Sequence, residues 1–92
     1  MDFTFSWDDN KADANLRKHR VSFQEACTLF QDPFVITYPD SAHSVAEVRY
    51  LSFGVSSTGT LLVVSHTETA SGLRIISARK MDRAERKIYE QH

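Results

Sequence analysis

Residues 48–79 read VRYLSFGVSSTGTLLVVSHTETASGLRIISAR, a run of apolar segments broken by short polar turns. It holds three strand-like runs, Val48–Val55, Leu61–Thr67 and Leu73–Arg79. Ser56-Ser57-Thr58-Gly59 and Thr69-Ala70-Ser71-Gly72 separate them. Connections this short permit only antiparallel hairpins, because a parallel return needs a crossover of about a dozen residues or more. Just upstream, Phe34 to Tyr38 alternates as a further strand between the breakers Asp32-Pro33 and Pro39-Asp40. The polar residues 40–46 are expected as a loop.

The first third of the chain reads as one strand and two helices. Phe3, Phe5 and Trp7 alternate with polar residues, the pattern of an opening strand. Asp8 or Asp9 then starts a short helix whose inward positions are expected at Ala12 and Leu16. It closes on Arg17-Lys18-His19-Arg20, where cations suit a helix C-terminus. Arg20 is expected in an irregular conformation, with left-handed geometry a candidate. Ser22 and Glu25 have the spacing of a capping box, and Val21 can staple onto Ala26. The helix that follows puts Phe23, Ala26, Cys27 and Phe30 on one face. At the far end Asp82 and Glu85 repeat the cap spacing, and Ala84 and Ile88 supply a narrow apolar edge. The predicted order is β-α-α-β-β-β-β-α: an α+β protein, an antiparallel sheet with helices packed on it. Residues 1–92 form a single domain, too short for a second core.

Composition narrows the function classes. At 41% hydrophobic and 11% aromatic the chain is expected to pack rather than stay disordered. The longest apolar run, Leu61 to Val64, is far short of a membrane span, and Met1-Asp2-Phe3-Thr4 lacks the basic and apolar segments of a signal peptide. A lone Cys27 makes no internal disulfide and fits a reducing cytoplasm, where the protein is expected. The net charge of −1 argues against a dedicated nucleic-acid binder, but its distribution does not. Residues 74–92 hold six Lys/Arg against three Asp/Glu, whereas residues 32–73 hold one against four. The last strand and last helix thus offer a positive patch to RNA or to an acidic partner, or simply a solvated helix.

Several blocks of the chain, in order, resemble the BrnT toxin family. They are Phe5-Ser6-Trp7-Asp8 with Lys11, Asn15 and Lys18-His19, then Val21-Ser22-Phe23-x-Glu25-Ala26 and Phe30-x-Asp32-Pro33. Glu47-x-Arg49, Gly54, His66-Thr67, Arg74 through Arg79, Glu85 and Tyr89 continue the pattern over essentially the whole chain. Arg20 departs from it, standing where the family often has Gly. The resemblance implies a RelE-like fold and an RNA-cleaving toxin of a type II toxin–antitoxin pair. It further implies a BrnA-like ribbon-helix-helix antitoxin in a two-plus-two complex, which blocks toxicity and represses the shared promoter by binding operator DNA.

Metal-free RNA cleavage needs a base for the ribose 2′-OH, positive charge on the phosphorane and a proton for the leaving 5′-oxygen. Arginine suits the second task, since its planar fork grips phosphate oxygens in pairs and stays charged. Arg79, at the end of the last strand, is the better candidate for the phosphate and Arg74 the second, with Lys80 beside Arg79 a substrate-binding candidate. Five apart, the two arginines face opposite sides of a regular strand unless it twists or bulges. Arg49, the one basic residue between Asp32 and Leu73, shares a strand face with Glu47, Leu51 and Phe53. It could reach a cleft or form a cross-strand ion pair. His66 alternates with Leu62 and Val64, and is a candidate for proton transfer or a satisfied structural residue. Glu47 is the alternative base. Tyr89 resembles the C-terminal aromatic that RelE-like enzymes stack on a base, with a core role equally open. Lys11 and His19, eight residues apart and able to share a helix face, are further substrate-binding candidates. No metal ligand set is expected, because His43 and His66 have no ligand-spaced partners, and no cofactor motif is present. A reading from another class also fits: a non-catalytic partner that only binds the antitoxin and tunes repression.

Overall fold

The computed structural model describes residues 4–91. Strand β1 (Thr4–Ser6) leads into helices α1 (Asp9–His19) and α2 (Phe23–Thr28), the latter prolonged by a 3-10 turn at Leu29–Gln31. Strands β2 (Ile36–Pro39), β3 (Tyr50–Val55), β4 (Leu61–Glu68) and β5 (Gly72–Lys80) follow, and helix α3 (Arg83–Glu90) ends the described chain. The order is the predicted one, with a second 3-10 turn, Ser41–His43, inside the expected loop. Of the predicted opening strand, Phe3 lies outside the described residues and Trp7 lies just past β1.

The sheet runs β1-β5-β4-β3-β2. Its last four strands are antiparallel, as the short loops require, but β1 lies parallel to β5. This corrects the purely antiparallel expectation. Hairpin geometry constrains only strands joined by short loops, and β1 reaches β5 through two helices and the rest of the sheet, so either direction was open to it.

Local signals account for most helix ends. The Asp8 side chain caps α1 by accepting from the Asn10 N–H (2.8 Å), and the Ser22 hydroxyl caps α2 by accepting from the Glu25 N–H (3.0 Å). Asp82 and Glu85 form the full reciprocal box at α3. At Ser22 the box stays half made, because the Glu25 carboxylate turns away to accept from the Ser56 and Thr58 hydroxyls. Those two bonds, Thr58 first, hold the Glu25 carboxyl below its ordinary pKa. Arg20 closes α1 with φ 60°, left-handed, its N–H returned to the Leu16 carbonyl. Arg20→Gly is therefore expected to be neutral or to stabilise by up to about 1 kcal/mol, since glycine adopts this geometry without strain. Urea melts check this, and a clear loss of stability would contradict it.

Helices α1 and α2 pack on one sheet face. Phe23, Ala26 and Leu29 meet Leu62, Val64, Ile75 and Ala78 in the core, with Val21 beside them. Phe30 and Cys27 flank it rather than fill it, and Leu29 takes the fully buried place, because the 3-10 turn rotates the end of the predicted helical face. In α1 the inward residue is Asn15 (7% exposed), not Leu16 (48%). The reason is a strand edge. Beyond the short β1, the Ala78 N–H and C=O have no neighbouring strand, and the Asn15 amide supplies both partners, accepting at 3.0 Å and donating at 2.8 Å. It also donates to the Val21 carbonyl at 3.0 Å. A buried backbone edge needs such partners more than the core needs another leucine.

Helix α3 departs further from expectation. Ala84 and Ile88 are exposed, while Glu85 and Tyr89 turn toward the sheet. Polar contacts hold this helix.

Candidate functional site

Register assigns every sheet residue to a face. Leu62, Val64 and His66 face the helices, so Val63, Ser65 and Thr67 face the opposite side. This is the open face in the sense that α1 and α2 do not pack on it, although these three β4 residues are themselves buried at 2%, 9% and 8% exposure. The partners of Ser65 and His66 are Ser77 and Ile75, which leaves Ile76 unopposed as a bulge in β5. The extra residue restores the parity that five-residue spacing breaks. Arg74 pairs with Thr67 and Arg79 with Val63, so both arginines lie on the open face, four β4 residues or roughly 13 Å apart.

A charged cluster forms at the Arg74 end. The Glu47 carboxylate accepts from Arg74 at 2.5 Å and lies 3.4 Å from the Arg49 guanidinium. The strand-like run expected from Val48 begins only at Tyr50, so Glu47 and Arg49 sit on the preceding loop. Three bonds fix that loop: Thr67 Oγ1 donates to the Val48 carbonyl (2.7 Å), the Arg49 N–H donates to Ser44 Oγ (3.0 Å), and the Asp40 N–H donates to the Arg49 carbonyl (2.8 Å). Hydrogen bonding from Arg74 holds the Glu47 carboxyl below its usual pKa, so it is ionised at neutral pH. One carboxylate thus serves two arginines, and among the described residues the buried Arg49 Nε has no acceptor. The cluster has positive charge and a donor to spare.

At the other end, Arg79 is held in a two-pronged ion pair. Its two terminal nitrogens donate to the two Glu85 oxygens, each at 2.7 Å, and one also reaches the Lys80 carbonyl at 3.3 Å. This fork raises the Arg79 pKa and lowers that of Glu85. Tyr89 does a parallel job. Its hydroxyl donates to Asp32 Oδ2 at 2.5 Å, and burial, then this bond, push the phenol up to about 12. Asp32 also accepts from the N–H groups of Phe34 and Val55. Burial opposes its ionisation, yet the Tyr89 and backbone bonds keep its carboxyl below the ordinary range. Arg79 and Tyr89 are therefore the two posts that dock α3.

The remaining candidates separate. His66 lies on the helix side, 4% exposed, between the Phe30 edge (ring centroids 5.1 Å) and a stacked Tyr50 (5.8 Å). Its Nε2 is 2.7 Å from Ser52 Oγ, and its Nδ1 is buried with no partner among the described residues. Burial lowers its pKa to about 4, so it is neutral at physiological pH and turned away from the arginines. Protonation is far easier in the unfolded chain, so stability should be full above about pH 6.5 and fall as the pH drops to about 4, by on the order of 3 kcal/mol. Equilibrium unfolding of wild type and His66→Gln across this range tests it; equal slopes would contradict the assignment. Lys80 pairs with Leu62 and so lies on the helix side, near Thr60, Met81 and Arg86. Lys11 and His19 do share a surface, a groove of about 210 Å³ along α1.

One residue escaped the sequence reading. Tyr38 of β2, opposite Leu51, stands on the open face 43% exposed, its ring edge-on to Phe53 at 5.9 Å. Strand alternation with Ile36 could have placed it. Among the described residues no cluster of three or more His, Cys, Asp or Glu could hold a metal ion, and no helix is long and apolar enough to cross a membrane.

No curated relative matches the chain. The crystal structure of the Brucella abortus ribonuclease toxin BrnT matches it with a TM-score of 0.69 at 20% identity, covering 89% of this chain and 100% of that one, a likeness of fold. The family described as the ribonuclease toxin BrnT of type II toxin–antitoxin systems matches residues 7–85. With that match across most of its length, the chain belongs to the BrnT family of ribonuclease toxins.

Proposed function

We propose that the protein cleaves single-stranded RNA on the open sheet face, without a metal, and that this activity stops translation and growth. The observation that carries the reading is the cluster in which one carboxylate, Glu47, is shared by Arg74 and Arg49 while the buried Arg49 Nε lacks an acceptor among the described residues. A phosphate diester fits the partly exposed arginine side chains of this cluster, because its oxygens match a guanidinium fork. As the phosphate takes over Arg74 and Arg49, Glu47 loses the partners that depress its pKa and becomes a stronger base. It then removes the proton of the ribose 2′-OH, whose oxygen attacks the adjacent phosphorus. Arg74 and Arg49 neutralise the phosphorane. The 5′-oxygen leaves and takes its proton from water on this open face, and the product carries a 2′,3′-cyclic phosphate. Tyr38 offers a ring to a neighbouring base. Arg79 is a flanking phosphate contact, reached only when Glu85 yields it. Tyr89 holds α3, and His66 stays outside proton transfer.

The partner in this reading is a BrnA-like ribbon-helix-helix antitoxin in a two-plus-two complex, which neutralises the toxin in the cytoplasm and represses the operon through operator DNA. The chain is expressed alone from a tight promoter, with Glu47→Gln as control, and growth and RNA integrity are followed. Growth arrest with RNA fragmentation, both absent in the control, is expected. Normal growth and intact RNA at confirmed expression would favour the non-catalytic repression partner instead.

A further inference from the structure

The groove between α1 and the free edge of β5 is not used by the reaction above. Lys11, Asn15, Lys18 and His19 line it from α1 at spacings of four, seven and eight residues, one face of the helix, and Ile76 and Ser77 line it from β5. Among the described residues no carboxylate lines it. Among the described residues neither lysine has an ion-pair partner within 4 Å, whereas Arg49, Arg74 and Arg79 all do. The two lysines are seven residues apart, about 10 Å along the helix, far enough for each to hold a separate phosphate. The position of the groove gives it a use. Ser77 lines it, yet Ser77 also pairs with Ser65 on the open face, between Arg74 and Arg79. The bulge at Ile76 is the point where the two surfaces join.

We propose that this groove is a phosphate track, in which Lys11 and Lys18 hold the RNA backbone beside the scissile bond and lead the strand across Ser77 to Arg74. The inference rests on the open-face reading, since the track must end at a reacting phosphate. It favours RNA over an acidic protein segment because the groove runs into the arginine row rather than ending blind.

The test is fluorescence anisotropy of a short labelled single-stranded 2′-O-methyl RNA, whose blocked 2′-oxygen prevents cleavage, titrated with protein at several salt concentrations. Each phosphate neutralised on a single strand contributes about 0.7 to the log–log salt slope. Lys11→Gln/Lys18→Gln should thus flatten the slope by about 1.4 and weaken binding about 25-fold at 0.1 M salt. Lys11→Arg/Lys18→Arg should keep wild-type behaviour, and circular dichroism should show all three folded. A Gln variant with wild-type slope and affinity would overturn the track, and if it had instead lost affinity for polyglutamate, the groove would be a seat for an acidic segment. No binding by the wild-type chain would overturn it as well. Cleavage of unmodified RNA by the same preparations tells the two readings apart: if it persists in wild type while the track fails, the open-face reading stands.

Discussion

Arg74→Ala is expected to lower single-turnover RNA cleavage about 100- to 1000-fold while leaving the protein folded, the loss typical of removing one preorganised donor to a transition-state oxyanion. The side chain is one-third exposed, and its partner Glu47 keeps a second arginine, so folding loses little. Arg74→Lys should recover only a small part of the rate, because an ammonium is a point charge without the guanidinium fork. The salt bridge alone cannot produce this pattern. If Arg74 merely anchored the Glu47 loop, lysine would restore function. Full cleavage by the folded alanine variant would contradict the assignment and move the transition-state charge to Arg79. Arg79→Ala should behave differently: by freeing Glu85 it loosens α3, so its activity loss should come with a destabilisation visible in denaturant melts.

The largest effect on stability is expected at Phe23. This ring is 0% exposed, meets Trp7 edge-on at a centroid distance of 6.1 Å, and lies where α2 touches the sheet. Phe23→Ala should cost roughly 3–5 kcal/mol, a transfer loss plus an unfilled cavity, out of a total that for such domains is about 5–15 kcal/mol. Urea denaturation with an unchanged slope measures it. A cost under about 1 kcal/mol would mean that the site collapses around the gap and that the core is not organised on this ring. Phe30→Ala should cost less, since Phe30 is only half buried, against Phe5 and His66.

What the sequence made legible follows the range of the interaction responsible. Ser22, Asp8 and Asp82 cap their helices within three residues, and the hairpins of β3, β4 and β5 are set by loops of a few residues, so all could be read directly. Asn15 could not, because its role depends on β1 being too short to cover Ala78, a fact that lies 63 residues away. Arg74 and Arg79 share a face only through the bulge at Ile76, which belongs to the pairing of β4 with β5 and not to either strand's pattern. The apolar spacing of Ala84 and Ile88 misled for a similar reason. Two strong polar contacts at Glu85 and Tyr89 orient α3, and they outweigh a weak amphipathic edge. Candidate residues were thus easier to name than to assemble.

The claim that the open face cleaves RNA through its 2′-OH is tested most directly by the ends of the fragments. Purified protein is incubated in EDTA with an end-labelled RNA and with the same sequence carrying a 2′-deoxy substitution at the cleaved position. Cleavage of the RNA alone, leaving a 2′,3′-cyclic phosphate and a 5′-hydroxyl, is predicted; loss of activity in EDTA, or a 5′-phosphate with equal cleavage of the deoxy-substituted strand, would contradict it.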